Sequence, residues 1–345
     1  MRTKMKIGIA LSHRITAQKT FLDCKKIVTD KASKLAIAKD LEFDTLAKNK
    51  AFLNSDLIIV FGGDGSFLKT SQAIQNTTPL IGIGCGERNF LSHAPASNAA
   101  AYLQETLSRP LKTETRTRIA ENRTSIPVLN EILISPHTSA TIMHYELFIN
   151  GKFQFHDYAD GVLICTPTGS SAYNHAAGGP LITLPTSAFA ITPLHSIEQR
   201  TPLVVPDSSR IEIRKIQSQD KQIELVLDGQ QRHSIPNAQN ESIQIHKSPH
   251  PLCVAEYRPQ QMIFPPVSSI EKLAPSSRFV LTVIRQLGTA TQAELNEATK
   301  LDPRTIRRAI AELLENAQIT QRPFASDQRK YLYHAVASSK KPVNR

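Results

Sequence analysis

The 345-residue chain has no tryptophan and only four cysteines, which lie far apart at positions 24, 85, 165 and 253. They form no C-x-x-C pair, which argues against a zinc site and a disulfide framework, and we predict no metal-ligating residue. No apolar run reaches membrane-spanning length, and the N-terminal run is too short for a signal peptide. These absences predict a cytoplasmic protein with no membrane partner.

Acidic residues are too few to balance the basic ones, since 41 Lys and Arg stand against 30 Asp and Glu, a formal net charge of +11. Such a charge favours polyanionic partners, namely nucleotides, polyphosphate or nucleic acid, and does not distinguish among them. The last fifth of the chain, residues 271–345, holds 13 basic and 7 acidic residues, a net +6. This end therefore needs an explanation of its own.

Hydrophobic periodicity predicts an α/β domain with a parallel sheet over residues 1–115. We place its elements in the order strand 5–11, helix 25–41, strand 57–61, helix 67–74 and strand 79–84. An order of strand, helix, strand is typical of a parallel sheet with crossover helices.

From about residue 116 apolar and polar residues alternate over short segments, as in 211–213, 222–227 and 242–245. Alternation of this kind predicts antiparallel strands with one solvated face. We therefore expect an all-β, sandwich-like domain over residues 116–262. Several prolines and serines then predict a linker over 263–277.

Beyond the linker, residues 278–335 are predicted to form a small α+β domain of three helices and a hairpin, with Thr291 and Asp302 as helix N-caps. A disordered tail is expected at 336–345. The order of elements resembles a winged helix-turn-helix, in which 303–315 would be the recognition helix.

That resemblance makes DNA a candidate partner through residues 278–335, because basic residues lie on the third helix and at the hairpin: Arg304, Arg307, Arg308, Arg329 and Lys330. The alternative is a domain that only contacts proteins, with the helix arginines paired to Glu312 and Glu315 of the same helix.

The second predicted strand ends in Gly62-Gly63-Asp64-Gly65, where glycines let the backbone approach a ligand and place one carboxylate at the strand end. Asp64 could accept a proton from a hydroxyl or hold a cation near phosphates; the alternative is a turn aspartate. The chain has no G-x-x-x-x-G-K-[ST] sequence, which excludes a Walker-type phosphate loop.

Two further segments carry polar residues beside apolar strands. Asn130 and Glu131 are adjacent, so one of them faces inward and needs a partner, either a ligand hydroxyl or an internal hydrogen bond. Residues 166–173 could bind adenine through backbone and hydroxyl groups while Tyr173 stacks on a ring; the alternative is an ordinary Pro-Gly turn.

Taken in order and spacing, these segments resemble the NAD kinase family, whose superfamily includes diacylglycerol kinases, sphingosine kinases and phosphofructokinases. The family pattern GGDGT, N-E, D-G-L-x-x-x-T-P-T-G-S-T-A-Y, I-T-P and D-G-Q corresponds here to 62–66, 130–131, 160–173, 191–193 and 228–230. The resemblance spans roughly residues 5–260 and implies the two-domain fold of that family.

The resemblance also implies an activity: transfer of the γ-phosphoryl group of ATP, or of polyphosphate, to the 2′-hydroxyl of the adenosine ribose of NAD, giving NADP. It implies Mg²⁺ or another divalent cation as cofactor, and a homo-oligomer, dimeric or tetrameric. Asp64 would be the catalytic base. The binding residues implied are Gly63, Gly65, Lys69, Asn130, Glu131, Tyr158, Asp160, Thr168, Ser171, Ala172, Tyr173, Asn174, Ala176, Asp228 and Gln230.

Among these, Asp160 would reach the dinucleotide across a subunit interface, and Lys69 would neutralise phosphate unless it is simply a solvated lysine. The chain departs from the family pattern at Ser66, Ser171 and Ala176, and more strongly over 82–91, where Gly84 replaces an asparagine. Two other functions stay open: a lipid or sugar kinase of the same superfamily, and an NAD(P)-sensing DNA-binding regulator with a degenerate kinase domain.

Overall fold

A computed structural model gives the fold of residues 4–86, 89–138, 141–219, 222–236, 238–256, 273–287, 289–299, 301–316, 318–324 and 327–335. The chain divides into two compact units, the first ending at Arg258 and the second beginning at Pro259. None of the helices in these residues is long and apolar enough to cross a membrane.

The first unit begins with a seven-stranded sheet in the order β2-β1-β3-β4-β18-β6, with β5 paired to β4. Its strands are β1 (Met5–Leu11), β2 (Ala32–Ala38), β3 (Leu57–Gly62), β4 (Leu80–Gly84), β5 (Ala94–Pro95), β6 (Thr113–Arg116) and β18 (Leu252–Ala255). All pairs are parallel except β18 with β6. The predicted parallel sheet is therefore confirmed.

All residues of strand β3 are buried, which explains why a strand of this sheet appears in the sequence as a continuous apolar run. Leu57, Ile59 and Phe61 join the core on one face, and Ile58 and Val60 join the core on the other. Parallel strands that are covered on both faces do not alternate between apolar and polar residues. The helices of this unit are α1 (Ile15–Lys31), α2 (Phe43–Lys48), α3 (Lys50–Leu53), α4 (Asp64–Ala73), α5 (Ala99–Thr106) and α6 (Tyr173–Ala176).

One predicted helix was wrong. The segment 25–41 is not one helix, since α1 covers Ile15–Lys31 and β2 follows at once. The buried stripe of α1 lies at residues 17, 21, 24 and 28, a spacing that places them on one helical face. In the described part of the chain β2 is an edge strand paired with β1, and its Ser33 and Lys34 are exposed. A mixture of exposed polar and apolar residues also occurs on a helix surface, so the pattern resembled a helix.

Two antiparallel sheets complete the first unit, in the orders β10-β9-β14-β17-β7 and β13-β12-β11-β8-β15-β16. Their strands are β7 (Ile119–Glu121), β8 (Glu131–Pro136), β9 (Met143–Ile149), β10 (Lys152–Ala159), β11 (Gly161–Cys165), β12 (Ala188–Leu194), β13 (Leu203–Pro206), β14 (Ile211–Ser218), β15 (Gln222–Leu227), β16 (Gln231–Pro236) and β17 (Ile243–Lys247). One apolar core contains residues of both sheets. The predicted sandwich-like β domain is thus present.

The second unit contains α7 (Pro275–Leu287), β19 (Thr289–Thr291), α8 (Gln292–Thr299), α9 (Pro303–Glu315), β20 (Ile319–Phe324) and β21 (Asp327–Ala335). The three strands form an antiparallel sheet in the order β19-β21-β20. Both predicted caps are confirmed: Thr291 Oγ1 accepts the amide of Glu294 (3.3 Å), and Asp302 Oδ1 accepts that of Arg304 (2.8 Å).

The predicted linker, 263–277, overlaps α7, which begins at Pro275. Proline is tolerated in a first helical turn, because the amide it lacks has no partner there. The rest of the linker to residue 272, and the predicted disordered tail at 336–345, lie outside the described residues.

Candidate active site

The turn after β3 places a carboxylate at the start of a helix. β3 ends at Gly62, Gly63 precedes the helix, and α4 begins at Asp64. A Cβ at Gly62 would lie 2.5 Å from Ser66 Oγ, whereas a Cβ at Gly63 would meet open space. Gly62 is thus required by packing, and Gly63 leaves the helix N-terminus accessible to a ligand.

Asp64 is held by the loop that follows β4. Its two oxygens accept the backbone N–H groups of Phe90 and Leu91, each at 3.0 Å. Burial raises the pKa of Asp64, and these two hydrogen bonds work against that rise. The carboxylate keeps free lone pairs, so it can still accept a proton from a bound hydroxyl.

Asp228 lies beneath this region and binds the backbone at the start of β8. Its carboxylate accepts the amides of Leu129 (3.0 Å) and Asn130 (2.6 Å), with a longer bond from Glu131 (3.3 Å), and Gln72 of α4 donates to it at 3.3 Å. Asp228 was predicted as a binding residue. The structure instead commits its oxygens to internal partners, so it positions the Asn130-Glu131 pair.

The carboxyl group of Glu131, next to Asp228, differs from it in protonation state. Burial, with the Asp228 carboxylate nearby, raises its pKa to about 8. Burial also raises the pKa of Asp228, to about 6, although its amide donors oppose that shift. At neutral pH Asp228 is therefore the ionised member of the pair, and Glu131 is largely a neutral acid that can donate a hydrogen bond.

Three buried polar atoms at the Asn130-Glu131 pair and the adjoining turn have no hydrogen-bond partner within the described part of the chain: Asn130 Oδ1, Glu131 Oε2 and Thr168 Oγ1; Gln72 Oε1, on the side chain that donates to Asp228, is a fourth. Buried polar groups are almost always satisfied in folded proteins. Three such atoms together therefore indicate a site that a polar ligand completes.

The turn at 166–169 joins Thr168 to the Asn130-Glu131 pair. Thr166 donates its hydroxyl to Leu129 O (2.5 Å) and its amide to Asn130 O (2.9 Å). A Cβ at Gly169 would lie only 2.1 Å from Asn130 O. Glycine is thus the residue that lets the two segments approach so closely.

Beyond the turn, the predicted binding residues divide into a structural and an exposed group. Asn174 is fully buried; its amide donates to Ser170 O and Pro180 O, and its Oδ1 accepts from Thr192. Its side chain therefore stabilises the loop through these three hydrogen bonds, and its predicted role in binding stays a prediction. The exposed or partly exposed members are Ser171, Ala172, Tyr173 and Ala176, with Tyr173 46% exposed.

The glycine turn and the Asp228 region are neighbours through Gln230. A Cβ at Gly65 would lie 3.6 Å from the Gln230 amide, which also donates to Asp228 O (3.2 Å). Gly65, Gln230, Asp228 and the Asn130-Glu131 pair are therefore brought together.

Other predicted residues have partners away from this cluster. Lys69 forms an ion pair with Glu42 at 2.5 Å. Asp160 Oδ2 lies 2.8 Å from His195 Nδ1. The ring of Tyr158 packs on the ring of His144, with the ring centroids 4.8 Å apart. Tyr158 and Asp160 are both exposed.

Sequence reasoning missed two residues that shape the site. Phe90 is 73% exposed, next to the amides that bind Asp64; an aromatic residue in the glycine-rich 82–91 segment was the available signal. Arg118 is fully buried and donates to the carbonyls of Ser71, Ile74 and His250 at 2.6–2.8 Å. It fixes the C-terminal end of α4, and no sequence signal distinguished it from a surface arginine.

Two family models match successive parts of the chain: the ATP-NAD kinase N-terminal domain over residues 7–110 and the ATP-NAD kinase C-terminal domain over residues 129–257. The chain belongs to the NAD kinase family. Both matches lie within the first unit, which ends at Arg258.

Sequence identity to individual NAD kinases supports this membership. The chain is 35% identical over 221 residues to the NAD kinase of Methanocorpusculum labreanum, which covers 63% of this chain and 79% of that protein. It is 33% identical over 233 residues to the NAD kinase of Haemophilus influenzae, with 63% and 80% covered.

Solved structures show the same fold. An NAD kinase from Archaeoglobus fulgidus in complex with ATP superposes with a TM-score of 0.63 at 22% identity, over 74% of this chain and 94% of that one. Yeast NADH kinase complexed with NADH gives 0.59 at 22% identity, with 74% and 84% covered. At this level of identity the likeness concerns the fold of the NAD kinase family.

Proposed function

We propose that this chain is an NAD kinase, which transfers the γ-phosphoryl group of ATP to the 2′-hydroxyl of the adenosine ribose of NAD and releases NADP and ADP. Family membership gives the reaction class. The observation that carries the assignment to these residues is the group of three buried, unpartnered atoms of Asn130, Glu131 and Thr168, linked through Gln230 to the helix that begins at Asp64.

Asp64 is the proposed catalytic base. The 2′-oxygen forms a bond to the γ-phosphorus, the bond from that phosphorus to the bridging oxygen of ADP breaks, and Asp64 takes the hydroxyl proton. Burial raises its pKa, which makes it a better proton acceptor, while the amides of Phe90 and Leu91 hold it in place. Chemistry of this kind depends mainly on positioning and charge neutralisation.

The binding roles follow from which atoms are free. Asn130 and the neutral acid of Glu131 would bind ribose hydroxyls, with Thr168 beside them. The exposed ring of Tyr173 would stack on a base. Gly63 and Gly65, at the N-terminus of α4, would lie along the phosphates, where a helix end favours anions. Lys69 reaches phosphate only by leaving Glu42.

A divalent cation fits this site in one way. The described residues contain no group of three or more His, Cys, Asp or Glu side chains that could hold a metal ion. Mg²⁺ in phosphoryl-transfer sites is bound largely by substrate phosphates and water, with one or two carboxylates. We therefore propose that Asp64, at the N-terminus of α4, is the carboxylate that would hold Mg²⁺ brought in with ATP, and the ion would supply neutralisation of phosphate charge.

The same proposal includes a cytoplasmic homo-oligomer. All four cysteines are free, as expected in a reducing compartment. β10 is an edge strand with Phe153 and Tyr158 about half exposed, a surface that a second copy would cover, and Asp160 follows it directly. Light scattering on the purified protein should give a dimer or tetramer; a monomer at micromolar concentration would contradict this part.

Replacement of Asp64 tests the proposed chemistry. Purified protein with NAD, ATP and Mg²⁺ should form NADP, measured by chromatography, and Asp64→Asn should lower kcat by about 10²–10⁴-fold, the usual loss for a general base. Asp30→Asn, at an exposed position of α1, removes the same charge far from the turn and should leave kcat within twofold. Equal activity of Asp64→Asn and wild type would remove Asp64 from its role.

The same preparation separates the other functions. Polyphosphate in place of ATP identifies the donor. ATP consumption with a lipid or sugar, and none with NAD, would favour the other kinases of the superfamily. NAD binding by calorimetry without any NADP would favour a sensor with a degenerate kinase domain.

A further inference from the structure

Helix α9 of the second unit has one buried and one exposed face. Its apolar residues, Ile306, Ala309, Ile310 and Leu313, are buried in the core of this unit. The opposite face carries Arg304, Arg307, Arg308, Ala311 and Glu315, all of them exposed. Because the apolar stripe fixes how the helix is rotated, the three arginines face solvent.

The arginines form no ion pair with the acidic residues of their own helix. Glu312 lies four residues after Arg308, at the spacing of a helical ion pair, yet its two oxygens accept the Ala274 amide (3.1 Å) and the Ser277 hydroxyl (2.5 Å). Glu312 therefore caps α7. Among the described residues, none of the three arginines forms an ion pair with a carboxylate.

The position of this charge along the helix is also unusual. Arg304 lies in the first turn of α9, which has no acidic residue, and Arg307 and Arg308 lie in the next turn. Cations near a helix N-terminus are unfavourable for the helix, because the helix dipole is positive there. Asp302 already caps this helix end with its carboxylate, so the part that an external polyanion would relieve is the repulsion among the three arginines themselves.

We propose that this arginine face of α9, formed by Arg304, Arg307 and Arg308, binds the major groove of duplex DNA. A helix about 10–12 Å across fits a groove about 12 Å wide. The face is convex, whereas small-molecule sites are concave, so an extended polyanion suits it better than a free nucleotide. Ala311 adds no bulk, and Glu315 lies at the far end of the helix, which directs the N-terminal half to the phosphates. This inference does not rest on the kinase assignment.

The test uses the full-length protein and a fluorescein-labelled 25-base-pair duplex of mixed sequence, followed by fluorescence anisotropy between 50 and 200 mM salt. The triple variant Arg304→Ala, Arg307→Ala, Arg308→Ala should bind at least tenfold more weakly at low salt. The slope of log K against log salt should fall by about 2–3, since each phosphate contact contributes about 0.9. Its NAD kinase activity should equal that of wild type, which shows that the first unit is folded, and its amide exchange in α7 should equal that of wild type, which shows that the second unit is folded.

A matched control separates a specific surface from general basicity. The variant Lys19→Ala, Lys25→Ala, Lys26→Ala removes the same charge from exposed positions of α1 and should keep affinity within twofold. Equal losses in the two triple variants would overturn the proposal, as would wild type that does not bind the duplex at 50 mM salt. Preference for a single-stranded RNA of the same length over the duplex would overturn it as well.

Discussion

Asn130, Glu131 and Thr168 hold their free polar atoms below the surface of the first unit, whereas Arg304 and Arg308 in the second unit extend theirs into solvent. A buried, unsatisfied group costs stability until a ligand completes it, so it selects one small ligand of fitting shape. Exposed charges cost little and select by sign and spacing. The comparison teaches that the two units differ in where their free polar groups lie, and this difference is why we propose different classes of partner for them.

The first site depends on close packing, and at Gly169 the close contact is with backbone. Gly169→Ala would place a methyl group 2.1 Å from Asn130 O, against backbone that cannot yield. We expect a loss of about 3 kcal/mol or more in unfolding free energy, or failure to fold, measured by urea denaturation. Gly63→Ala, where a Cβ meets open space, should cost less than about 1 kcal/mol. Equal costs would show that the contact is not required.

A smaller effect is expected from the buried carboxyl pair. Because Glu131 has a raised pKa of about 8 against an ordinary 4.5, the folded state keeps a proton that the unfolded state releases. Its contribution to stability is complete below pH 4.5 and is lost as the pH rises toward 8. Asp228 acts in the same sense, but only up to about pH 6.

The window between pH 6 and pH 8 therefore isolates Glu131. Urea denaturation of wild type should show stability falling by up to about 1.4 kcal/mol per pH unit in this window relative to Glu131→Gln, which cannot titrate. Glu198→Gln, at an exposed position, should retain the wild-type slope. Parallel profiles for wild type and Glu131→Gln would mean that Glu131 is ionised throughout.

The smallest effect concerns the second unit, where the proposed surface needs Glu312 to stay on α7. Glu312→Ala removes the partner of the Ala274 amide and the Ser277 hydroxyl. Amide exchange in the first turns of α7, followed by mass spectrometry on the full chain, should rise on the order of tenfold, the effect of one lost cap. Glu315→Ala on the exposed face should not change it. If it does, Glu312 is not the specific cap.

Much of the fold and the main motifs could be predicted from the sequence, because strand patterns, glycine turns and helix caps are local. The predicted residues Gly65, Asn130, Glu131, Thr168 and Gln230 do cluster. What the sequence could not show depends on long-range contacts.

Nothing local shows that Asp228 is turned inward onto the backbone amides that precede and begin β8, or that Lys69 meets Glu42 of a distant segment. The helix predicted over 25–41 failed for a related reason, since an edge strand and a helix surface both mix lysine with apolar residues.

The position of β18 has a consequence for how the chain is made. This strand, Leu252–Ala255, lies between β4 and the edge strand β6, so the first sheet lacks the strand that joins these two until the whole sandwich has been synthesised. Ribosomes at work on the sandwich would carry an unfinished sheet with open edges at β4 and β6, a species prone to aggregate. A fragment ending near residue 115 would lack β18 permanently. Truncated forms of this enzyme therefore need residues 252–255, although these lie far along the chain from the rest of the first sheet.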